Sequence, residues 1–142
     1  YSHSLGSSGI AWYAAPALAA RVREALRKDQ AGGLAAALAQ VPLLLPTGHG
    51  VLRDRLDLWF ERQGLRPQVV GEFEDSALLE TFGASGLGVF PSAMLADAEL
   101  VRSHGVERVG ECDGVEEQFY AITPQKRIGH RLVSRITEAA GG

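Results

Sequence analysis

Glu72, Glu74 and Asp75 place three carboxylates within four residues, directly ahead of Ser76 and the apolar run Ala77-Leu78-Leu79. Like charges this close raise one another's pKa unless a cation, a hydrogen-bond donor or water compensates them. If Gln68 to Phe73 is a strand, its alternation puts Glu72 and Glu74 on one face. Hard cations take oxygen ligands, so Glu72 and Asp75 admit a weak site for an ion such as Na⁺ or Ca²⁺, although the spacing is not that of an EF-hand loop. The competing reading makes Asp75 a helix cap and leaves the glutamates solvated or paired with arginines; for Asp75 the two are compatible. His49 lies between Gly48 and Gly50 at the start of another helix. Backbone N–H groups gathered there can receive an anion or a carbonyl, and an imidazole there can report pH; the alternative is an exposed turn histidine.

Motifs of the better-known chemistries are missing. There is no G-x-S-x-G elbow, P-loop, paired-cysteine metal site or H-E-x-x-H, so neither an enzyme nor a cofactor is expected. Gly83-x-x-Gly86-x-Gly88 follows a helix and precedes a strand, the reverse of the dinucleotide context, and is read as ending one and opening the other. His3, His104 and His130 have no ligand spacing, and Trp12, Tyr13, Trp59 and Phe60 fall on apolar periodic faces that suit a core.

These groups need elements to hold them. Pro16 opens a helix that runs to about Lys28, with Leu18, Val22, Ala25 and Leu26 on its apolar face. Leu34 to Ala39 is a short helical connector and Val41 to Leu45 a buried strand. Val51 to Gln63 is the clearest helix, stopped at Gly64. Gln68 to Phe73 is a strand, a helix capped by Asp75 or Ser76 follows, Leu87 to Phe90 is a strand and Met94 to His104 a helix. Val106 to Gly110 and Glu117 to Thr123 are two more strands, and a last helix buries Leu132, Val133 and Ile136. Alternation of this kind predicts an α/β fold with parallel strands joined by helical crossovers.

The chain has 142 residues, one domain's worth, although two small lobes also fit. Its net charge of −3 gives no general attraction to nucleic acid or an anionic membrane. The most apolar window, Leu34 to Pro46, falls short of the roughly 20 residues of a membrane span. Cys112 stands alone, which excludes an internal disulfide, fits a reducing, cytoplasmic compartment and suggests a small buried or half-buried thiol. No signal pattern opens the chain, and Gly6-Ser7-Ser8-Gly9 reads as native strand rather than as a tag scar.

Gly71-Glu72-Phe73-Glu74-Asp75-Ser76-Ala77-Leu78, Gly88-Val89-Phe90-Pro91, Leu43-Leu44-Leu45-Pro46-Thr47 and Glu117-Gln118-Phe119-Tyr120-Ala121-Ile122 together carry a likeness. So do Arg127-Ile128-Gly129-His130 and Ile136-Thr137-Glu138-Ala139-Ala140. The sequence resembles the effector-binding region of LysR-type transcriptional regulators, and among them the NhaR-like branch that regulates sodium/proton antiporters.

The resemblance implies a periplasmic-binding-protein-like (type 2) lobe with a parallel-rich sheet flanked by helices, plus crossover segments of an incomplete first lobe. Residues 1–13 would end that first lobe, 14–122 would form the second, and 123–142 would return as a crossover and C-terminal helix. A cleft between the lobes would receive a co-inducer at Thr47, Gly48, His49, Glu72, Glu74, Asp75, Ser76, Pro91 and Ser92. The NhaR-like branch responds to Na⁺ and Li⁺, so a small molecule or a monovalent cation is the expected effector. DNA would be met only through an N-terminal domain that the resemblance places before Tyr1. Residues 1–13 and the last helix would recruit a partner copy, giving a homodimer or homotetramer. The second reading is a stand-alone solute-binding lobe with the same fold, which fold alone does not separate from the first.

Overall fold

The computed structural model describes residues 2–122, and the side chains of residues 6–119. Its order is β1 (Ser2–Ala14), α1 (Pro16–Lys28), α2 (Gly33–Leu38), β2 (Pro42–Pro46) and α3 (Val51–Arg62), followed by β3 (Gln68–Phe73), α4 (Ser76–Ala84), β4 (Phe90–Ala93), a 3-10 turn (Met94–Ala96), α5 (Asp97–His104) and β5 (Glu107–Ile122). The expected last helix lies outside the described residues.

β1 is the centre. Ile10, Trp12 and Ala14 pack into one apolar cluster with Leu43, Leu45, Leu56, Trp59 and Phe60, whereas Ala11 and Tyr13 point into a second with Leu44, Leu79, Phe90 and Leu100. A strand covered on both faces needs an unbroken apolar run rather than alternation, which is what Ile10 to Ala14 supplies. Trp12 lies 6.1 Å from Trp59 and 5.8 Å from Phe60 between ring centroids, so α3 is pinned to β1 by aromatic contacts.

The expected parallel-rich sheet needs correction in one respect. β2 and β3 pair in parallel, but β1 runs antiparallel to both β4 and β5. Alternation of strands and helices predicts parallel pairing only where a helix carries the chain back across the sheet. β1 and β5 instead form a long two-stranded ribbon, Ser2 opposite Ile122 and Ala14 opposite Glu107. The two sheets meet where the chain changes partner: Val89 bonds to β2 in parallel (Leu44 N–H to the Val89 carbonyl, 2.8 Å), and the next residues pair with β1, Pro91 opposite Trp12. The strand expected over Leu87 to Phe90 therefore lies slightly later in the chain. Two strands were expected where β5 runs unbroken. The polar stretch between them is a bulge that leaves Asp113, Gly114 and Val115 out of register, with Gly114 at φ +82.

Tight packing fixes α4 against β4. A Cβ at Gly83 would stand 2.1 Å from the Phe90 ring, closer than any real contact. Gly83→Ala should cost roughly 1–3 kcal/mol through overpacking, read as a lowered urea midpoint with an unchanged slope. Burial pushes the Cys112 thiol up to about 12, so the native chain should resist a thiol reagent at neutral pH and react fully once unfolded in urea.

Candidate effector site

A cavity of about 540 Å³ opens at the carboxyl ends of β2, β3 and β4. In open α/β sheets that edge is where loops and helix starts converge on ligands. Pro46 ends β2, Phe73 ends β3 with Glu74 next in the turn to α4, and Pro91, Ser92 and Ala93 come from β4. α4 presents Ser76, Leu79 and Glu80, α5 presents Glu99, Leu100 and His104, and β5 adds Glu117 and Phe119. Leu79 and Leu100 are buried in the second apolar cluster and Phe73 packs on it, so the floor is apolar.

Of the residues expected at the site, Glu74, Ser76, Pro91 and Ser92 line this cavity together. Thr47 is the chain neighbour of the lining residue Pro46, and its N–H donates to the Phe73 carbonyl at 3.0 Å, which ties the turn to the end of β3. Gly48 and His49 are exposed in that turn. Glu72 points elsewhere and is ion-paired to Arg53. Asp75 caps α4, accepting from the Ala77 N–H at 2.8 Å, as one of the two sequence readings had it. Among the described residues no group of three or more His, Cys, Asp and Glu side chains is placed to hold a metal ion.

Arg53 organises the rim behind the cavity. Its side chain, 14% exposed, donates to Asp57 Oδ1 (2.9 Å), to the Pro46 carbonyl (2.8 Å) and to Glu72. One guanidinium thus clamps α3 to the ends of β2 and β3, a task suited to its rigid fork of donors. Arg53→Met should cost about 1–3 kcal/mol, because it leaves the part-buried Pro46 carbonyl without its donor and unties α3 from the ends of β2 and β3, and Arg53→Lys should recover only part of it in urea melts.

The wall is rich in carboxylates. The Glu80 carboxylate stands 4.0 Å from His104 Nε2 and Glu99 3.8 Å from Arg102. Burial raises the Glu117 carboxyl above its ordinary value, and Arg55 works against that rise. Arg55 also donates to the Glu116 carbonyl, so α3 braces β5 at the same point. Behind this wall the Tyr13 hydroxyl donates to Asp97 Oδ1 at 2.8 Å; burial, then Asp97, pushes the phenol upward. A carboxyl raised in the folded state favours folding while protonated, so Glu117 adds stability below pH 4.5 that is lost as pH rises through its folded value. Glu117→Gln should therefore flatten the fall in urea midpoint with rising pH above that point.

Sequence reasoning missed Glu80, Glu99, His104, Glu117 and Phe119. Glu117 and Phe119 carried a signal, since residues two apart on a strand share a face. Glu80, Glu99 and His104 carried none, because only the packing of α4 beside α5 brings them together.

Comparison with known proteins places this geometry. The structure overlays the effector binding domain of AmpR from Citrobacter freundii with a TM-score of 0.62 at 17% identity, over 99% of this chain and 68% of that one. It overlays the regulatory domain of HypT from Salmonella typhimurium with a TM-score of 0.61 at 14% identity, over 99% and 65%. At such identities the likeness speaks for the fold, a periplasmic-binding-protein-like α/β architecture. In sequence the chain is 34% identical to the transcriptional activator protein NhaR of Escherichia coli (strain K12) over 101 residues, 71% of this chain and 34% of that protein. It thus spans about a third of the length of that relative. Residues 2–141 match the family model of the LysR substrate binding domain, and the chain belongs to that family.

Proposed function

We propose that this chain is the effector-sensing part of a LysR-type transcriptional activator, acting in the cytoplasm as a homodimer or homotetramer that meets DNA through a separate N-terminal domain. On this reading residues 1–13 end a first lobe and 14–122 form the second lobe of a two-lobed effector-binding domain; the return crossover assigned to 123–142 lies outside the described residues. The observation that carries this reading is the cavity at the carboxyl ends of three strands, with Glu74, Ser76, Pro91 and Ser92 on its wall. Thr47, Gly48, His49, Glu72 and Asp75 belong to the rim beside it. The effector is a small molecule or a monovalent cation such as Na⁺ or Li⁺. Its binding favours one lobe arrangement and so shifts the geometry offered to the operator.

The test uses the full-length regulator and a reporter promoter titrated with NaCl, LiCl and a panel of small organic molecules. Ser76→Phe, which fills the mouth of the cavity from an exposed position, should blunt the response while operator binding is kept. Glu72→Gln and Asp75→Asn should blunt it less, because they act through the rim. An unchanged dose response in all three variants would remove this edge from the sensor. A secretory leader in place of a DNA-binding domain upstream would favour the solute-binding lobe instead.

A further inference from the structure

We infer that the cavity at the carboxyl ends of β2, β3 and β4 takes an organic cation, an amine or guanidinium carried on an apolar body, in preference to a bare ion or an anion. The inference rests on reading that cavity as the effector site, and three independent features carry it.

Size comes first. A volume of about 540 Å³ falls in the range of pockets that enclose small organic molecules, roughly 300–1,000 Å³. A bare cation instead needs several oxygens gathered at bonding distance around one point. Among the described residues no group of three or more His, Cys, Asp and Glu side chains is placed to supply them. Glu74, Glu80, Glu99 and Glu117 come from the β3–α4 turn, α4, α5 and β5, and so line the space from separate elements.

The floor is the second feature. Phe73, Leu79, Leu100, Pro91 and Phe119 are the surfaces against which an apolar body gains by leaving water. Phe73 is held in place by stacking on Phe82, ring centroids 5.4 Å apart. Its ring and that of Phe119 line the space that a cationic head would enter.

Sign is the third. Four carboxylates line the cavity and, among the described residues, no Lys or Arg does; His104 is its sole basic side chain. A carboxylate or phosphate ligand would enter against like charge with no guanidinium or ammonium to receive it. Glu80 already faces His104, Glu99 faces Arg102 and Glu117 lies beside Arg55, so an ammonium or guanidinium head would be met first by the exposed Glu74 at the β3–α4 turn.

The experiment follows backbone amide shifts of Phe73 to Glu80 and Ser92 to Ala93 in the isotope-labelled 142-residue chain. Benzylamine and agmatine are titrated beside their uncharged and anionic counterparts, benzyl alcohol and benzoate, and beside NaCl and LiCl alone. Saturable shifts with the two cations are expected, weakened about fivefold by Glu74→Gln or by Glu117→Gln. Charge reversal at the exposed Glu74, as Glu74→Lys, should weaken benzylamine further and let benzoate bind. If benzoate or benzyl alcohol binds the unaltered chain as tightly as benzylamine, the cation preference is overturned while the cavity stands as a ligand site. Saturation of the same amides by Na⁺ or Li⁺ alone overturns it in favour of a bare ion. If no probe moves these amides, both this inference and the reading of the cavity as the sensor fall.

Discussion

The burial of five consecutive residues, Ile10 to Ala14, is the constraint on which the rest of the molecule depends. All five are 0–1% exposed, and they alternate between two apolar clusters that lie on opposite faces of one strand. Helices must therefore cover both faces: α3 meets Trp12 through Trp59 and Phe60, and Leu79 of α4 and Leu100 of α5 pack in the cluster of Ala11 and Tyr13. Fully burying a large apolar side chain contributes roughly 1.5–3 kcal/mol, so a polar substitution within this run would weaken the cluster on the face to which that residue points.

Around that centre, polar groups do the local positioning. Arg53 gathers the ends of β2 and β3, Asp75 starts α4 beside them, and the Thr47 N–H closes the turn onto β3. The carboxylates that stand out in the sequence thus divide into two kinds. Glu72 and Asp75 hold the frame, whereas Glu74 lines the cavity that the frame encloses. Adjacent residues with the same charge acquire different tasks because a strand end and a helix start point successive side chains in different directions.

Much of this was legible before any coordinates. Pro16 marked the start of α1, the Leu52-Leu56-Trp59-Phe60 stripe marked α3, and Gly64, at φ +70, marked its end, because each signal acts within one or two turns of chain. What sequence could not carry was strand direction. A helix between two strands speaks for parallel pairing, yet β1 and β5 pair directly across more than ninety residues of intervening chain, a contact with no local signature. Half of the cavity wall was hidden for the same reason. Glu74 and Ser76 sit on the element boundary that sequence marked, whereas Glu80 and His104 meet only because α4 and α5 pack against each other.

The change of partner at Val89 has a mechanical consequence. Pro91 on one wall of the cavity is registered opposite Trp12, and Glu117 on another is registered opposite Ser8, so both walls are ruled off the same strand. Ser8 and Trp12 of β1, with the β5 bulge at 113–115 beside them, thus set the spacing of the two walls. Ile10 to Ala14 are buried on both faces, whereas the ribbon of residues 2–9 against 116–122 extends past β4. The cavity and that ribbon thus share one strand, and the position of each is set by the same register.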